Sequence, residues 1–122
     1  MTRPIIILGD ELTFRIGASC REQPQARTTQ IWAADHHQTR TDDTIFVPQF
    51  VYSLRCERNL LARPDLPSSF PLFQHGPTTD GMSCTAHLEQ ETVVLAFREI
   101  TIRMQRGALV ELFDRALAVL ER

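Results

Sequence analysis

The sequence contains no lysine, since all thirteen of its basic residues are arginines. This absence excludes every mechanism that needs a Schiff-base lysine or the lysine of a phosphate-binding loop. The arginines are spread from Arg3 to Arg122, and the formal net charge is −2 at pH 7. Domains that bind nucleic acid usually carry a basic stripe or patch, which this pattern does not predict. Nucleic acid is therefore not an expected partner.

Long apolar segments and closely spaced cysteines are missing as well. A membrane-spanning helix needs roughly 20 predominantly apolar residues, whereas the apolar run near the N-terminus extends only from Ile5 to Leu8. That run is also shorter than the core of a signal peptide. Cys20, Cys56 and Cys84 are odd in number and far apart, which favours free thiols in a reducing compartment. We expect a cytoplasmic protein that does not contact a membrane.

Catalytic and cofactor-binding motifs are also absent. The chain has no nucleophile elbow of the form G-x-S-x-G, no dinucleotide-binding G-x-G-x-x-G and no C-x-x-C pair. With five glycines in all, no phosphate-cradling loop can be assigned. We therefore assign no catalytic residue, no cofactor and no metal ligand, and the sequence favours a non-enzymatic protein.

What is present describes an ordinary folded chain. Its 122 residues are 43% hydrophobic and 23% charged. This composition is typical of soluble globular proteins and unlike that of disordered segments. The length allows a single core to be stable without metals or disulfides. We predict one globular domain over residues 1–122.

The first 47 residues predict strands. The apolar run Ile5–Leu8 and the alternating residues Glu11–Ile16 predict a hairpin, in which Gly9 takes the first position of a type II′ turn. The segments that follow are a third strand over Thr28–Ala34, a polar loop over Asp35–Asp43 and a strand-like stretch over Thr44–Val47.

Residues 48–63 allow two interpretations. As a helix, the segment would place Pro48 at its first position, where a missing N–H costs nothing. Val51, Leu54 and Leu61 would lie along one stripe, with Phe50 beside it. The alternative continues the preceding strand through Phe50 and Tyr52. We favour the helix.

The C-terminal third has the clearest pattern. Three alternating segments, "MSCTAHL", "TVVLAF" and "ITIRMQ", predict an antiparallel meander. The last residues predict an amphipathic helix, with apolar residues at helical spacing on one face: Leu109, Leu112, Phe113, Ala116 and Leu120. The predicted fold class is α+β, a mostly antiparallel β-sheet with a C-terminal amphipathic helix packed on one face.

Cys84 and His87 are three residues apart and could be taken for half of a metal site. Successive side chains of a strand point to opposite faces, so "MSCTAHL" places Cys84 on the apolar face and His87 on the polar face. One ion cannot bind both from an extended strand. We predict that Cys84 is buried as a small hydrophobic residue and that His87 is exposed.

The remaining candidates for ligands are Asp35, His36, His37 and His75. The first three are adjacent in the polar loop and could form a ligand pair or an acid–base dyad. An exposed turn with solvated imidazoles explains them equally well and is the favoured interpretation. Arginines near Cys56 could bind an anion, although a solvated helix face accounts for them too.

The segment Pro64–Gly81 is long, contains four of the seven prolines and shows no periodicity. Irregular loops of this length in a small domain usually carry function. Phe70, Leu72 and Phe73 within it could contact a partner protein or a second copy of the chain. They could equally be buried against their own domain.

These observations favour a small non-enzymatic protein that binds another protein, as an adaptor, a regulator, an inhibitor or an immunity protein. Edge strands of the sheet could also pair across the axis of a homodimer. The alternatives are a protein that binds a metal or a small ligand through histidine and cysteine, or a small enzyme with an Asp/His acid–base pair. The sequence does not identify the partner or the oligomeric state.

Overall fold

The computed structural model describes residues 5–17, 28–38, 45–73 and 84–121, and the fold is α+β, as predicted. The elements follow one another as β1 (Ile5–Leu8), β2 (Leu12–Ile16), β3 (Thr28–Ala33), β4 (His36–His37), β5 (Ile45–Phe46), α1 (Val47–Leu61), β6 (Ser69–Pro71), β7 (Thr85–Glu89), β8 (Thr92–Ala96), β9 (Thr101–Gln105) and α2 (Arg106–Leu120).

The first sheet contains β1 to β5, and its pairings are antiparallel. Its strand order is β1-β2-β3-β4, with β5 also paired to β3. The register places Phe14 between Ile7 and Ile31, and all three side chains are buried. Alternation along each strand therefore gives this sheet one face toward the core, as the pattern of residues 11–16 predicted.

Gly9 is not the first residue of the hairpin turn, and that detail of the prediction is wrong. Its N–H donates to the Leu12 carbonyl at 2.8 Å, so the two turn residues are Asp10 and Glu11. A Cβ atom on Gly9 would lie 2.7 Å from that carbonyl oxygen and 2.8 Å from a methyl group of Leu112 on α2. Glycine is needed here because both the hairpin backbone and α2 approach this position closely.

The second sheet contains β6, β7, β8 and β9 in sequence order, again antiparallel. The three C-terminal strands confirm the predicted meander. Strand β6 lies inside the segment that was predicted to be an irregular loop. That prediction is therefore wrong for residues 69–71. These residues pair with β7, as Phe70 does with Ala86. Pro71 is tolerated because β6 is an edge strand.

Helix α1 confirms the favoured interpretation of residues 48–63. The helix begins at Val47, so Pro48 is its second residue and not its first as predicted, and it ends two residues before Arg63. Phe50, beside the predicted stripe, is fully covered, whereas Val51 within the stripe is only half-buried. Two polar side chains, Ser53 and Glu57, are also buried on this side.

Helix α2 packs against α1, β1 and β9. Leu109, Leu112, Phe113 and Ala116 are buried as predicted, and Leu120 is partly buried at the edge of the core. Arg106 connects the two helices: its Nε donates to the carbonyl of Leu61 at 2.7 Å, and its terminal nitrogen donates to the carbonyl of Arg63. These bonds satisfy carbonyl groups left free where α1 ends. No helix in the described ranges is long and apolar enough to cross a membrane.

Candidate functional site

Strand β1 forms one edge of the first sheet, with β2 as its neighbour on one side. In an antiparallel pair, residues alternate between those that exchange backbone hydrogen bonds and those that do not. Gly9 bonds to Leu12, so Ile7 and Ile5 also direct their N–H and C=O groups toward β2. The N–H and C=O groups of Ile6 and Leu8 consequently point away from β2. They face the side of β1 on which no other described strand pairs with it, which we call the open edge.

The side chains at this edge are exposed to solvent as well. Ile6 is 59% exposed and Leu8 is 64% exposed, and with Tyr52 they are the large exposed hydrophobic side chains in the described part of the chain. Natural sheets usually protect edge strands with charges, proline or bulges. Within β1 there is no charged residue and no proline. Two large apolar side chains on a strand without these protections make this edge the candidate contact surface.

A groove of about 440 Å³ runs along the same edge, which we call the β1–α2 groove. It is lined by Ile5, Ile6, Ile7 and Leu8 of β1 and by Arg115, Ala118 and Val119 of α2. Ala118 is exposed and Val119 is half-buried, so the flank of α2 offers a mostly apolar floor beside β1. A polypeptide strand added to β1 would lie on this floor.

Arg115 is the charged residue among the groove-lining side chains. Its Nε lies 4.0 Å from Glu111 Oε1, one helical turn earlier, and both side chains are largely exposed. The distance is too long for a hydrogen bond. The pair therefore balances charge beside the groove without blocking it.

The outer face of the first sheet carries a stacked trio beside this edge. The Arg15 guanidinium lies 4.0 Å from the centroid of the Trp32 ring, and the His37 ring stacks on Trp32 at 4.9 Å with an angle of 10°. Desolvation lowers the pKa of His37, and the positive charge of Arg15 lowers it further. A neutral imidazole stacked in this way contributes to sheet packing.

The predicted ligand candidates do not converge. His36 and Asp35 contact each other at 3.1 Å, between His36 Nδ1 and Asp35 Oδ1, but their side chains are 49% and 92% exposed. His37 belongs to the stack on Trp32, and His75 lies outside the described residues. Across the ranges that the structure describes, no three His, Cys, Asp or Glu side chains are placed to hold a metal ion.

Cys84 and His87 occupy opposite faces, as the alternation predicted. Cys84 is buried, and burial raises the pKa of its thiol, with a smaller contribution in the same direction from the Glu57 carboxylate. His87 is only partly exposed, and its Nε2 lies 3.1 Å from Glu89 Oε1. A thiol held in its neutral form is a poor nucleophile, so Cys84 is a core residue.

The arginines of α1 are paired with carboxylates. Arg58 donates to Asp114 at 2.7 Å, Arg63 forms a two-bonded pair with Asp65, and Arg55 contacts Glu121. A shallow groove of about 400 Å³ lies nearby, lined by Cys56, Asn59, Leu60 and Arg63. Each of these guanidinium groups has a carboxylate partner, so the structure does not show a cluster of unpaired positive charges around Cys56.

The apolar residues of the proline-rich segment lie against their own chain. Phe70 is 5% exposed and Leu72 is fully buried. Phe73 is partly buried and contacts the rings of Phe14 and Phe113 at about 6 Å. This placement favours the second of the two interpretations of the segment. A partner contact through these residues stays a prediction, and residues 74–81 lie outside the described ranges.

Two features of the structure were not found from the sequence. One is the open edge at β1. The sequence feature that could have indicated it is a strand with apolar residues at every position, in a sheet that has only one face toward the core. The other is Glu57, a carboxylate that is fully buried on α1 and accepts a hydrogen bond from Ser53 Oγ at 3.2 Å. The apolar stripe predicted on α1 did not indicate that Glu57 would be buried.

Comparison with known proteins adds no functional information. No protein-family model, no curated protein sequence and no solved structure matches this chain. The functional argument therefore rests on the geometry of the molecule itself.

Proposed function

We propose that this chain is a small non-enzymatic protein-binding protein, of the adaptor, regulatory or inhibitor kind, and that its contact surface is the β1–α2 groove. The observation that supports this most strongly is the open edge of β1, where Ile6 and Leu8 are exposed and no other described strand pairs with them. The occupant would be an extended polypeptide segment that joins the first sheet as an additional strand.

Strand addition suits the chemistry of this groove. Backbone hydrogen bonds to Ile6 and Leu8 would supply affinity that depends little on sequence, and pockets for alternate side chains would supply specificity. Burial of a large aliphatic side chain contributes about 1.5–3 kcal/mol. Two such side chains on this protein, with matching ones on the occupant, can offset a substantial part of the cost of association.

The alternative functions gain no support from the residues described. Asp35 and His36 contact each other where the turn meets β4, and both side chains are exposed, so water screens their charges. The histidines and cysteines within the described ranges do not cluster. Binding of another polypeptide therefore remains the function that the geometry favours.

The proposal includes a cytoplasmic location. Cys56 and Cys84 are both free thiols in the fold, and Cys84 is enclosed in the core. Proteins of reducing compartments keep their cysteines in this state, whereas small secreted domains usually use them in disulfides.

A labelled strand-forming peptide tests the groove directly. The probe is a fluorescein-labelled ten-residue peptide of alternating valine and threonine, and binding is followed by fluorescence polarisation. Ile6→Arg adds a charge at the proposed contact. Thr101→Arg adds the same charge at an exposed position on β9, which is an edge strand of the other sheet, and serves as the matched control.

We expect the unsubstituted chain and Thr101→Arg to bind the probe and Ile6→Arg to bind it at least tenfold more weakly. Equal binding by all three proteins would show that the peptide attaches elsewhere. No binding to the unsubstituted chain, in a sample that also shows no self-association through β1, would overturn the proposed function.

A further inference from the structure

The geometry of β1 points to a second copy of this chain as the occupant of the β1–α2 groove. We propose that two β1 strands pair antiparallel across a two-fold axis centred on Ile7, which joins the two first sheets into one continuous sheet. This inference rests on the proposed function of the groove and names its partner.

The backbone sets the register of this pairing. Within β1, only Ile6 and Leu8 direct N–H and C=O groups toward the open edge, because the Gly9 N–H donates to the Leu12 carbonyl on the other side. In an antiparallel pair, such residues must face each other to exchange hydrogen bonds. A two-fold axis at Ile7 places Ile6 of one copy opposite Leu8 of the other, so all of the outward groups of β1 find partners within β1.

The side chains match in the same arrangement. The exposed side chains of Ile6 and Leu8 would meet their counterparts on the outer face and form one apolar cluster. Directly opposed aliphatic side chains stabilise antiparallel pairs, and like charges would destabilise them. Since β1 contains no charged residue, the symmetry brings no like charges together within the strand pair.

The groove floor also fits an isologous contact. Each copy would place its β1 beside Ala118 and Val119 of the other copy. The same surface of each copy therefore supplies a strand and receives one. Arg115 would lie near this contact, but Glu111 accompanies it at 4.0 Å. Each helix therefore brings a balanced pair of charges to the interface.

The two edges of the second sheet fit β1 less well. On β9 the exposed positions carry Thr101, Arg103 and Gln105, which would set a charge and two polar groups against Ile6 and Leu8. On β6 the exposed Pro71 has no N–H to donate. Compared with these two edges, pairing of β1 with itself leaves neither an unmatched charge nor a missing donor.

Two short strands and two helix flanks make a small interface. Specific interfaces usually bury about 1,200–2,000 Å² in total, and the small ones are weak. We therefore expect self-association at micromolar concentrations or above.

Sedimentation equilibrium of the full chain measures this association. The unsubstituted chain and the Thr101→Arg control should shift from the 14.0 kDa monomer toward twice that mass as concentration rises. Ile6→Arg should raise the dissociation constant at least tenfold, with an unchanged thermal melt at a concentration where all three proteins are monomeric. A monomer at all concentrations that still binds the strand peptide overturns the dimer and leaves the proposed function intact. Higher oligomers would overturn the two-fold arrangement.

Disulfide trapping tests the register separately, in a chain that also carries Cys20→Ser and Cys56→Ser. Residues opposite each other in a hydrogen-bonded pair have Cα atoms about 5.5 Å apart, which a disulfide can span. A mixture of the Ile6→Cys and Leu8→Cys chains should form a mixed disulfide dimer rapidly under mild oxidation. Each chain alone should cross-link much more slowly, because identical positions are offset along the strands. Faster cross-linking of either chain alone, or no preference for the mixture, would overturn the register.

Discussion

At the scale of single residues, several side chains have roles set by a neighbour that is distant in sequence. A larger residue than glycine does not fit at position 9, because Leu112 lies against it. His37 is stacked because β4 returns beside Trp32, and the positive charge of Arg15 then helps to keep its imidazole neutral. Cys84 is inert because the core encloses it. In each case packing determines the chemistry that the residue can perform.

Gly9 and Gly107 form a natural pair for a stability test. Gly9→Ala should destabilise the fold by about 1–3 kcal/mol, because its Cβ would meet the backbone at Leu12 and a methyl group of Leu112. Gly107→Ala meets nothing within 4 Å in the first turn of α2 and should stabilise the protein by about 0.4–1 kcal/mol. Urea denaturation measures both. A Gly9→Ala midpoint equal to that of the unsubstituted chain would mean that α2 does not approach β1 so closely.

At the scale of elements, the edges of the two sheets are protected to different degrees. Polar residues and Arg103 are exposed along β9, and β6 is short and contains Pro71. Of β1, β6 and β9, only β1 exposes two large aliphatic side chains. This contrast is the reason to propose the contact surface at β1 rather than in the proline-rich segment. The apolar residues of that segment lie in β6 and the turn after it, and they point into the core.

Strand β6 can be tested through Phe70, which is nearly fully buried. Phe70→Ala should cost about 3–5 kcal/mol of stability, measured by urea denaturation of the monomer. Pro71→Ala, at an exposed position on the same strand, should change stability by no more than about 0.5 kcal/mol.

If Phe70→Ala instead left the melt unchanged and abolished self-association, the proline-rich segment would be the contact surface after all. That outcome would also remove the case for the β1–α2 groove as the main interface.

At the scale of the whole molecule, one apolar cluster connects both sheets and both helices. Phe14 from the first sheet contacts Phe50 of α1 at 5.0 Å and Phe113 of α2 at 6.0 Å. Leu95 and Met104 from the second sheet belong to the same cluster. A shared core of this kind should make the two sheets unfold together.

We therefore expect a single cooperative transition in urea. Trp32, the only tryptophan, reports on the first sheet through its fluorescence, and far-ultraviolet circular dichroism reports on all of the helices and strands. The two midpoints should coincide. Separate midpoints would show that the sheets unfold independently and would contradict the prediction of one domain over residues 1–122.

Much of the fold follows from local pattern. The hairpin of β1 and β2, the meander of β7 to β9 and the buried face of α2 could be predicted because apolar residues recur there at the period of a strand or of a helix. Such periodicity depends only on which side chains are apolar and become buried when the chain folds. Burial of Cys84 followed from the same alternation.

The rest depends on contacts that are remote in sequence. Strand β6 exists because Phe70 pairs with Ala86, and nothing within residues 69–71 specifies that partner. The sequence by itself determined which residues avoid water. Only the tertiary structure decided that β1 lies at an edge, where Ile6 and Leu8 remain exposed, because the position of a strand in a sheet is fixed by pairing between distant segments.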